Sequence, residues 1–352
     1  MTSDEHTVGP ALRRVLAEAG GPELLNRLAE ELTGADLTTL LLEVFRRRAE
    51  RLTPAEVMRR YRTDRFVTPA PTGFAELRRA EDFLLSALPD DFQVLTLAPL
   101  VPLAAHTAVA TVDPRKVVAT IRGSEVAADP TNALALEAAH RRSRALAADP
   151  RSAVPVRLAG SQRVVRAQHF DAPGMLAHFQ LFALVTAGRD TGGRAFEQQH
   201  LAEHLHFAVR AMAGAGVRRT EIRLTCLDES AAPVLARTRT ELAGTPGLDI
   251  VDDPGRATGR GYYTGLCYKI FATVHGQRLE VGDGGFVDWT QRLVGSRKER
   301  LLISGFGVDR LATALTPPTD TPARPHPEPD PAPDLAPPRP RTEFRPRRRA
   351  RE

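Results

Sequence analysis

The stretch SGFGVDRLATAL, residues 304–315, decides how this chain is read. Its left flank, LLIS at 301–304, is a short apolar run that predicts a strand. Gly305 and Gly307 follow and let another molecule approach the backbone closely. Asp309 and Arg310 come next, and the apolar spacing of the remainder predicts a helix. A strand, a glycine turn and a helix thus set a charged pair at one junction.

Working back from that junction, YYTGLCYKIFATVHGQRLEVG (262–282) predicts a hairpin with His275 and Gly276 at the turn. EIRLTCL (221–227) reads as a strand, with a helix near 230–242 after it and another over 194–213 before it. HFQLFALVTAG (178–188) predicts a long strand, and VPVRLA (154–159) and QRVVRAQ (162–168) predict two shorter ones. DPTNALALEAAHRRSRAL (129–146) predicts a helix with Asp129 or Thr131 near its start. KVVATI (116–121) and FQVLTLA (92–98) read as strands, whereas Pro99 and Pro102 keep APLVPLA (98–104) out of a sheet interior. FAELRRAEDFLLSAL (74–88) predicts a helix capped by Thr72. Strands joined by hairpin-length loops, with helices between them, predict an α+β class: an antiparallel sheet flanked by helices over residues 72–316.

Residues 1–65 predict a small helical N-terminal module. LTTLLLEVFRRRAERL (37–52) has apolar residues at helical spacing, and Thr53-Pro54-Ala55-Glu56 spells a capping box. Residues 317–352 hold twelve prolines, a composition that predicts a disordered tail. The chain carries a formal net charge of +5, and its last fourteen residues, with seven Arg and two Glu, carry all of it. The body is formally neutral, which does not support a basic folded domain and leaves only a basic tail for RNA contact. No apolar run is long enough for a membrane span, and the N-terminus lacks the apolar stretch of a secretory signal. Cys226 and Cys267 sit in apolar runs without metal-ligand spacing, which predicts buried, reduced thiols in a cytoplasmic protein. His200 and His204 are one helical turn apart without an HExxH pattern, which favours a role on the helix surface or in the core.

Three segments, in order, resemble class II aminoacyl-tRNA synthetases. The helix, strand and prolines of 74–102 are similar to the family's dimer-forming first motif. VVRAQ (164–168) with AHFQLFALVTAG (177–188) resembles the second motif, and SGFGVDRLATAL resembles the third. Two further segments point to the histidyl branch: TGRGYYTGLCYKIF (258–271) is similar to its RGLDYYTG-type signature, and VGDGGFVDW (281–289) to its GGRYD-type turn. VVATIRGSEVAADPTNALALEAA (117–139) resembles the segment that closes the amino-acid site. The same core occurs in the histidyl-like regulatory subunit of ATP phosphoribosyltransferase.

The resemblance implies ATP and Mg²⁺ as ligands. Arg166 would contact the α-phosphate, Phe179 would stack on adenine, Gly305 and Gly307 would admit the nucleotide, and Arg310 would cover it. Asp309 would contribute indirectly to the ion site. Asp129, Thr131, Tyr262 and Tyr263 would line the acid site. It further implies a homodimer through the core, a small-molecule acid as substrate and room for a partner enzyme. Each residue has a plainer reading: Arg166 as an exposed strand arginine, Phe179 as core, the tyrosines as sheet packing, Asp129 as a helix cap. This sequence also departs from the family. Thr258 stands where the histidyl branch has an Arg, with Arg256 and Arg260 nearby, and Gly261 replaces an Asp. Leu181 and Val185 replace the Gln and Glu that hold the substrate's amino group, Gln168 replaces a Glu, and Phe286 and Val287 replace Arg and Tyr. These changes speak against ordinary histidine charging. Three functions are then open: adenylation of an amino acid or related acid, ligand sensing as a non-catalytic subunit, and RNA binding through the tail.

Overall fold

A computed structural model describes residues 9–168 and 176–315. The expectations of a disordered, RNA-contacting tail therefore lie outside the described residues. The helices α1 (Pro10–Ala19), α2 (Pro22–Asn26), α3 (Gly34–Glu50) and α4 (Pro54–Thr63) come first. The Thr53 cap forms as expected: its hydroxyl accepts from the Glu56 N–H, and the Glu56 carboxylate accepts from the Thr53 N–H at 2.8 Å. In these four helices Leu16 alone is buried.

The remainder alternates helices and strands. Helix α5 (Phe74–Ala87) leads to strands β1 (Gln93–Val94), β2 (Leu100–Pro102) and β3 (Ser124–Val126), then α6 (Pro130–Ala148). Strands β4 (Val156–Val165) and β5 (His178–Arg189) precede α7 (Ala195–Gly214), and β6 (Arg219–Cys226), α8 (Ala232–Leu242) and β7 (Leu248–Asp252) follow. The chain then runs through β8 (Leu266–Val274), β9 (Gln277–Val287), α9 (Trp289–Val294), β10 (Glu299–Gly307) and α10 (Val308–Leu315). One eight-stranded sheet has the order β1-β4-β5-β10-β9-β8-β6-β7, and β2 pairs with β3 apart from it. The α+β reading holds. The six inner strands are antiparallel, while β1 on β4 and β7 on β6 are parallel.

The sheet divides the core into two clusters. Phe182, Leu184, Leu302 and Phe306 face one side, where they meet α5, α7, α8 and α10. Ala183, Val185, Leu301 and Ile303 face the other, against Leu134, Ala135 and Ala138 of α6 and Trp289 of α9. Alternation along β5 and β10 produces both sets, because successive side chains point to opposite faces. Burying each large side chain contributes roughly 1.5–3 kcal/mol. At one end α6 is tied to the sheet by a fully buried ion pair, Arg142 Nε to Glu299 Oε2 at 2.8 Å. The same guanidinium donates to the carbonyls of Ser152 and Val154, so each of its three nitrogens is hydrogen-bonded.

Several local expectations are corrected. Gly73, not Thr72, caps α5, and no side chain assists it. VPVRLA and QRVVRAQ are one continuous strand, since Gly160 and Ser161 stay in register with Ala183 and Phe182. KVVATI makes only an isolated bridge, Ala119 to Glu125, and turns back on β3 through a Thr120–Ser124 bond outside the main sheet. FQVLTLA contributes just Gln93 and Val94 to the sheet edge. Strand β7 and helix α9 were not expected. The turn at His275 and Gly276 has φ of 50° and 76°, the doubly positive geometry that suits a two-residue hairpin. Cys267 is buried as expected, but Cys226 is exposed at the end of β6. No helix among the described residues is long and apolar enough to cross a membrane.

Candidate functional site

The face of the sheet that carries α6 is only partly covered. Register places Phe179, Leu181, Ala183 and Val185 of β5 on it, beside Gly305 and Gly307 of β10 and Asp283 and Gly285 of β9. A Cβ built on Gly305 would meet no atom within 4 Å, so the floor is open there. Gly285 is the reverse: a Cβ would lie 2.7 Å from the Tyr263 ring and 2.8 Å from Cys267 Cβ. Only glycine lets Tyr263 rest on the floor at that point.

Arg166 rises at the β4 rim. Its N–H continues the ladder by donating to the Ala177 carbonyl at 2.8 Å. Its guanidinium donates through Nε to the Ala128 carbonyl and through Nη2 to Asp129 Oδ2, both at 3.1 Å. The guanidinium carbon stands 5.0 Å from the Phe179 ring centroid. Asp129 also caps α6: Oδ1 accepts from the Thr131 N–H at 2.9 Å and the Thr131 hydroxyl at 2.7 Å. Thus Arg166, Phe179, Asp129 and Thr131 are brought together, and the capping reading of Asp129 is also true.

A buried histidine fixes this corner from behind. The Ala128 N–H donates to His106 Nε2 at 3.0 Å, so the ring proton sits on Nδ1, 2.7 Å from Glu125 Oε2. The His106 bond, aided by backbone N–H groups of Ala104 and His106, outweighs burial and keeps the Glu125 carboxyl below its ordinary range. Sequence reading missed this pair, because nineteen residues separate its members and neither carries a motif.

Tyr262, Tyr263 and Arg256 form the other wall. The two rings are 4.4 Å apart, and Tyr262 lies 6.3 Å from Trp289. Tyr263 OH donates to Asp283 Oδ2 at 3.1 Å. Arg256 is buried, 5.4 Å from the Tyr263 ring, and donates to Asp283 Oδ2 at 3.2 Å and to the carbonyls of Thr258 and Tyr268. Thr258, at the family's arginine position, is exposed. Burial pushes the Asp283 carboxyl above the usual carboxylate range; Arg256 opposes that, and the nearby charges of Asp129 and Glu280 add to it. Burial likewise raises both tyrosine hydroxyls, so they stay protonated donors. The signal for Asp283 was present in the sequence, an aspartate inside VGDGG, but it matches no family residue.

Arg310 occupies the opposite rim from Arg166. It is exposed, its Nη1 donates to the Glu280 carbonyl at 2.6 Å, and its Cβ is the atom nearest to a Cβ built on Gly307, at 3.5 Å. Asp309 Oδ2 accepts from the Gln180 N–H at 2.5 Å, where β5 runs past the end of β10, while Oδ1 is buried without a hydrogen-bond partner, 3.8 Å from Arg163. Glu280 is paired with Lys269 at 2.8 Å. Among the described residues no three ligand-type side chains converge as a metal site.

No family model matches the sequence, and no curated protein matches it. Solved structures do. Apo histidyl-tRNA synthetase of S. aureus is similar at 14% identity and a TM-score of 0.52, over 70% of this chain and 69% of that one. An ATP phosphoribosyltransferase regulatory subunit/histidyl-tRNA synthetase from Bacillus halodurans gives 12% and 0.52, over 71% and 83%. A histidine–tRNA ligase subunit from Alicyclobacillus acidocaldarius gives 16% and 0.51, over 70% and 94%. At such identities the likeness concerns the fold alone, and on that ground the chain has the class II aminoacyl-tRNA synthetase-like fold in its histidyl-like form.

Proposed function

We propose that this chain binds ATP on the open floor and joins it to the carboxylate of an amino acid or related acid, without ordinary histidine charging. The observation that carries the reading is the free space over Gly305, with Arg166 and Phe179 on one rim and Arg310 on the other. In the reaction a carboxylate oxygen attacks the α-phosphorus, the bond to the bridging oxygen breaks, and pyrophosphate leaves. Negative charge grows on the α-phosphoryl oxygens, and a guanidinium held at the end of a strand meets it with little reorganisation. Phe179 offers its ring to the adenine. No step here is routed through a metal ion held by the protein. The test is pyrophosphate exchange with a panel of amino acids. Exchange with at least one of them, lost in Arg166→Ala, is the expected result; silence across the panel from folded protein overturns the reading.

The same reading includes a homodimer through the core. Phe74, Val94, Leu100 and Leu103 are exposed apolar residues clustered in the segment that resembles the dimer-forming motif. Sedimentation should give twice the chain mass, and charge substitution at Phe74 and Leu103 should reduce it.

A second reading has its own support. Leu181 and Val185 lie on the floor where the family holds an amino group, and Arg256 is spent on Asp283 and two carbonyls. A floor that has lost those partners suits a non-catalytic subunit that senses a ligand for a partner enzyme. Stoichiometric co-purification of an enzyme, with no exchange activity, would favour it.

A further inference from the structure

Two buried ionisable groups stand behind the cleft without lining it. His106 is 1% exposed and Glu125 3%. Glu125 receives the Ala104 N–H at 2.9 Å, the His106 N–H at 3.3 Å and His106 Nδ1 at 2.7 Å. A carboxylate only accepts, so it holds the ring proton on Nδ1 and leaves Nε2 to accept from the Ala128 N–H at 3.0 Å. Burying such a pair adds little stability over an apolar filling of the same volume. What it fixes is position. The corner it holds is wired to the end of β4. The Ala127 carbonyl accepts from the Val165 N–H at 2.9 Å, the Ala128 carbonyl from Arg166 Nε at 3.1 Å, and Asp129 Oδ2 from Arg166 Nη2 at 3.1 Å. Among the described residues Arg166 Nη1 makes no hydrogen bond, and the side chain stays 38% accessible. The corner thus holds two guanidinium nitrogens and leaves the third to the cleft.

We propose that His106 is a positioning residue for Arg166: through the Ala128 N–H it fixes the Ala128–Asp129 corner, so that Arg166 meets a phosphoryl group already oriented. This rests on the nucleotide reading above and goes beyond it, because His106 touches neither substrate and lies outside every segment that carries the family resemblance. A guanidinium held before the reaction needs no reorganisation while charge develops on the phosphoryl oxygens. One whose corner is loose must be oriented during the reaction, and the rate falls. Glu125 acts one step further back, by choosing the tautomer of His106.

The experiment measures pyrophosphate exchange by the full chain with the most active amino acid of the panel, with thermal unfolding followed beside it. His106→Gln carries an amide oxygen to the Nε2 position and keeps an acceptor for Ala128. His106→Asn ends near the Nδ1 position, keeps a donor for Glu125 and cannot reach Ala128. His106→Asn should lower exchange about ten-fold, and His106→Gln should stay within about three-fold of the wild type. In an Arg166→Lys background a single nitrogen cannot span the corner, so His106→Asn should cost no more than about two-fold there. Unchanged exchange in His106→Asn overturns the proposal. So does an equal loss in both amide variants or in both backgrounds, because His106 would then support the fold in general. An unfolded His106→Asn or His106→Gln overturns it for the same reason. Silence of the wild type with every amino acid sinks the nucleotide reading itself, and that is seen before any variant is made.

Discussion

Gly282 and Gly305, on opposite faces of the large sheet, have opposite surroundings. On the face packed by α5, α7, α8 and α10, a Cβ on Gly282 would lie 2.6 Å from the Gly305 carbonyl and 3.0 Å from Phe306. On the other face a Cβ on Gly305 would meet nothing. The first face is closed to a single methyl group, whereas the second keeps a gap between α6 at one end and Arg310 at the other. A core face is fixed by volume and tolerates little insertion. A site face leaves space that its flanking charges define.

The most severe way to break this contrast is to unseat α6, which covers the closed part of the site face. Arg142→Ala should cost about 3–5 kcal/mol in denaturant unfolding, because Glu299 would be left buried and unpaired. A loss under 1 kcal/mol would mean that α6 is not anchored there. Next comes the rim of the gap. Arg166→Ala should lower pyrophosphate exchange by roughly 100–1,000-fold, as expected for one preorganised donor to a developing oxyanion, with a small change in stability. Gly282→Ala should then cost about 1–3 kcal/mol through overpacking, with any surviving folded protein still binding ATP.

A titration sharpens the contrast further. His204 of α7 is fully buried on the packed face, where it bonds Ser304 at 2.6 Å and Thr186 at 2.9 Å. Burial pushes its imidazole down to about 3, with Glu203 opposing, so the folded protein holds it neutral. Above the unfolded value, near 6.5, this costs nothing. Below it the unfolded chain takes up a proton that the folded one refuses, and stability falls toward the folded value. The slope approaches about 1.4 kcal/mol per pH unit, or about 2 kcal/mol lost between pH 7 and pH 5. Unfolding at both pH values should show that loss, and His204→Gln should flatten it. The smallest effect belongs to the open floor: Gly305→Ala should change stability by no more than about 0.5 kcal/mol yet weaken ATP binding measurably. A larger destabilisation would show that the gap is not open.

Much of the fold was legible because its signals are local. The Thr53 capping box, the Asp129 cap, the turn at His275-Gly276 and the strands over 178–188 and 301–304 each follow from a few adjacent residues. The errors arose where distant pairing decides. KVVATI has strand composition but makes only an isolated bridge to β3, and LDIVD becomes a strand because β6 offers it a parallel edge. The bond of Asp309 to the Gln180 N–H is likewise a tertiary contact, made where β5 runs past the end of β10.

Sequence by itself determined the α+β class and most of its longer helices and strands, and its resemblance to class II synthetases chose Arg166, Phe179, Gly305 and Arg310 as residues to watch. The elements depend on periodicity and residue type; the site residues depend on the resemblance. Tertiary structure alone decided that Arg166 grips Asp129, that Arg256 and not Thr258 lies under the tyrosines, that Asp283 enters the cleft, and that His106 braces the corner. Each of these contacts joins residues between 19 and 37 positions apart in the chain, or depends on which side of a strand is left uncovered. Spacing along a sequence carries no information about either until the strands have found their register.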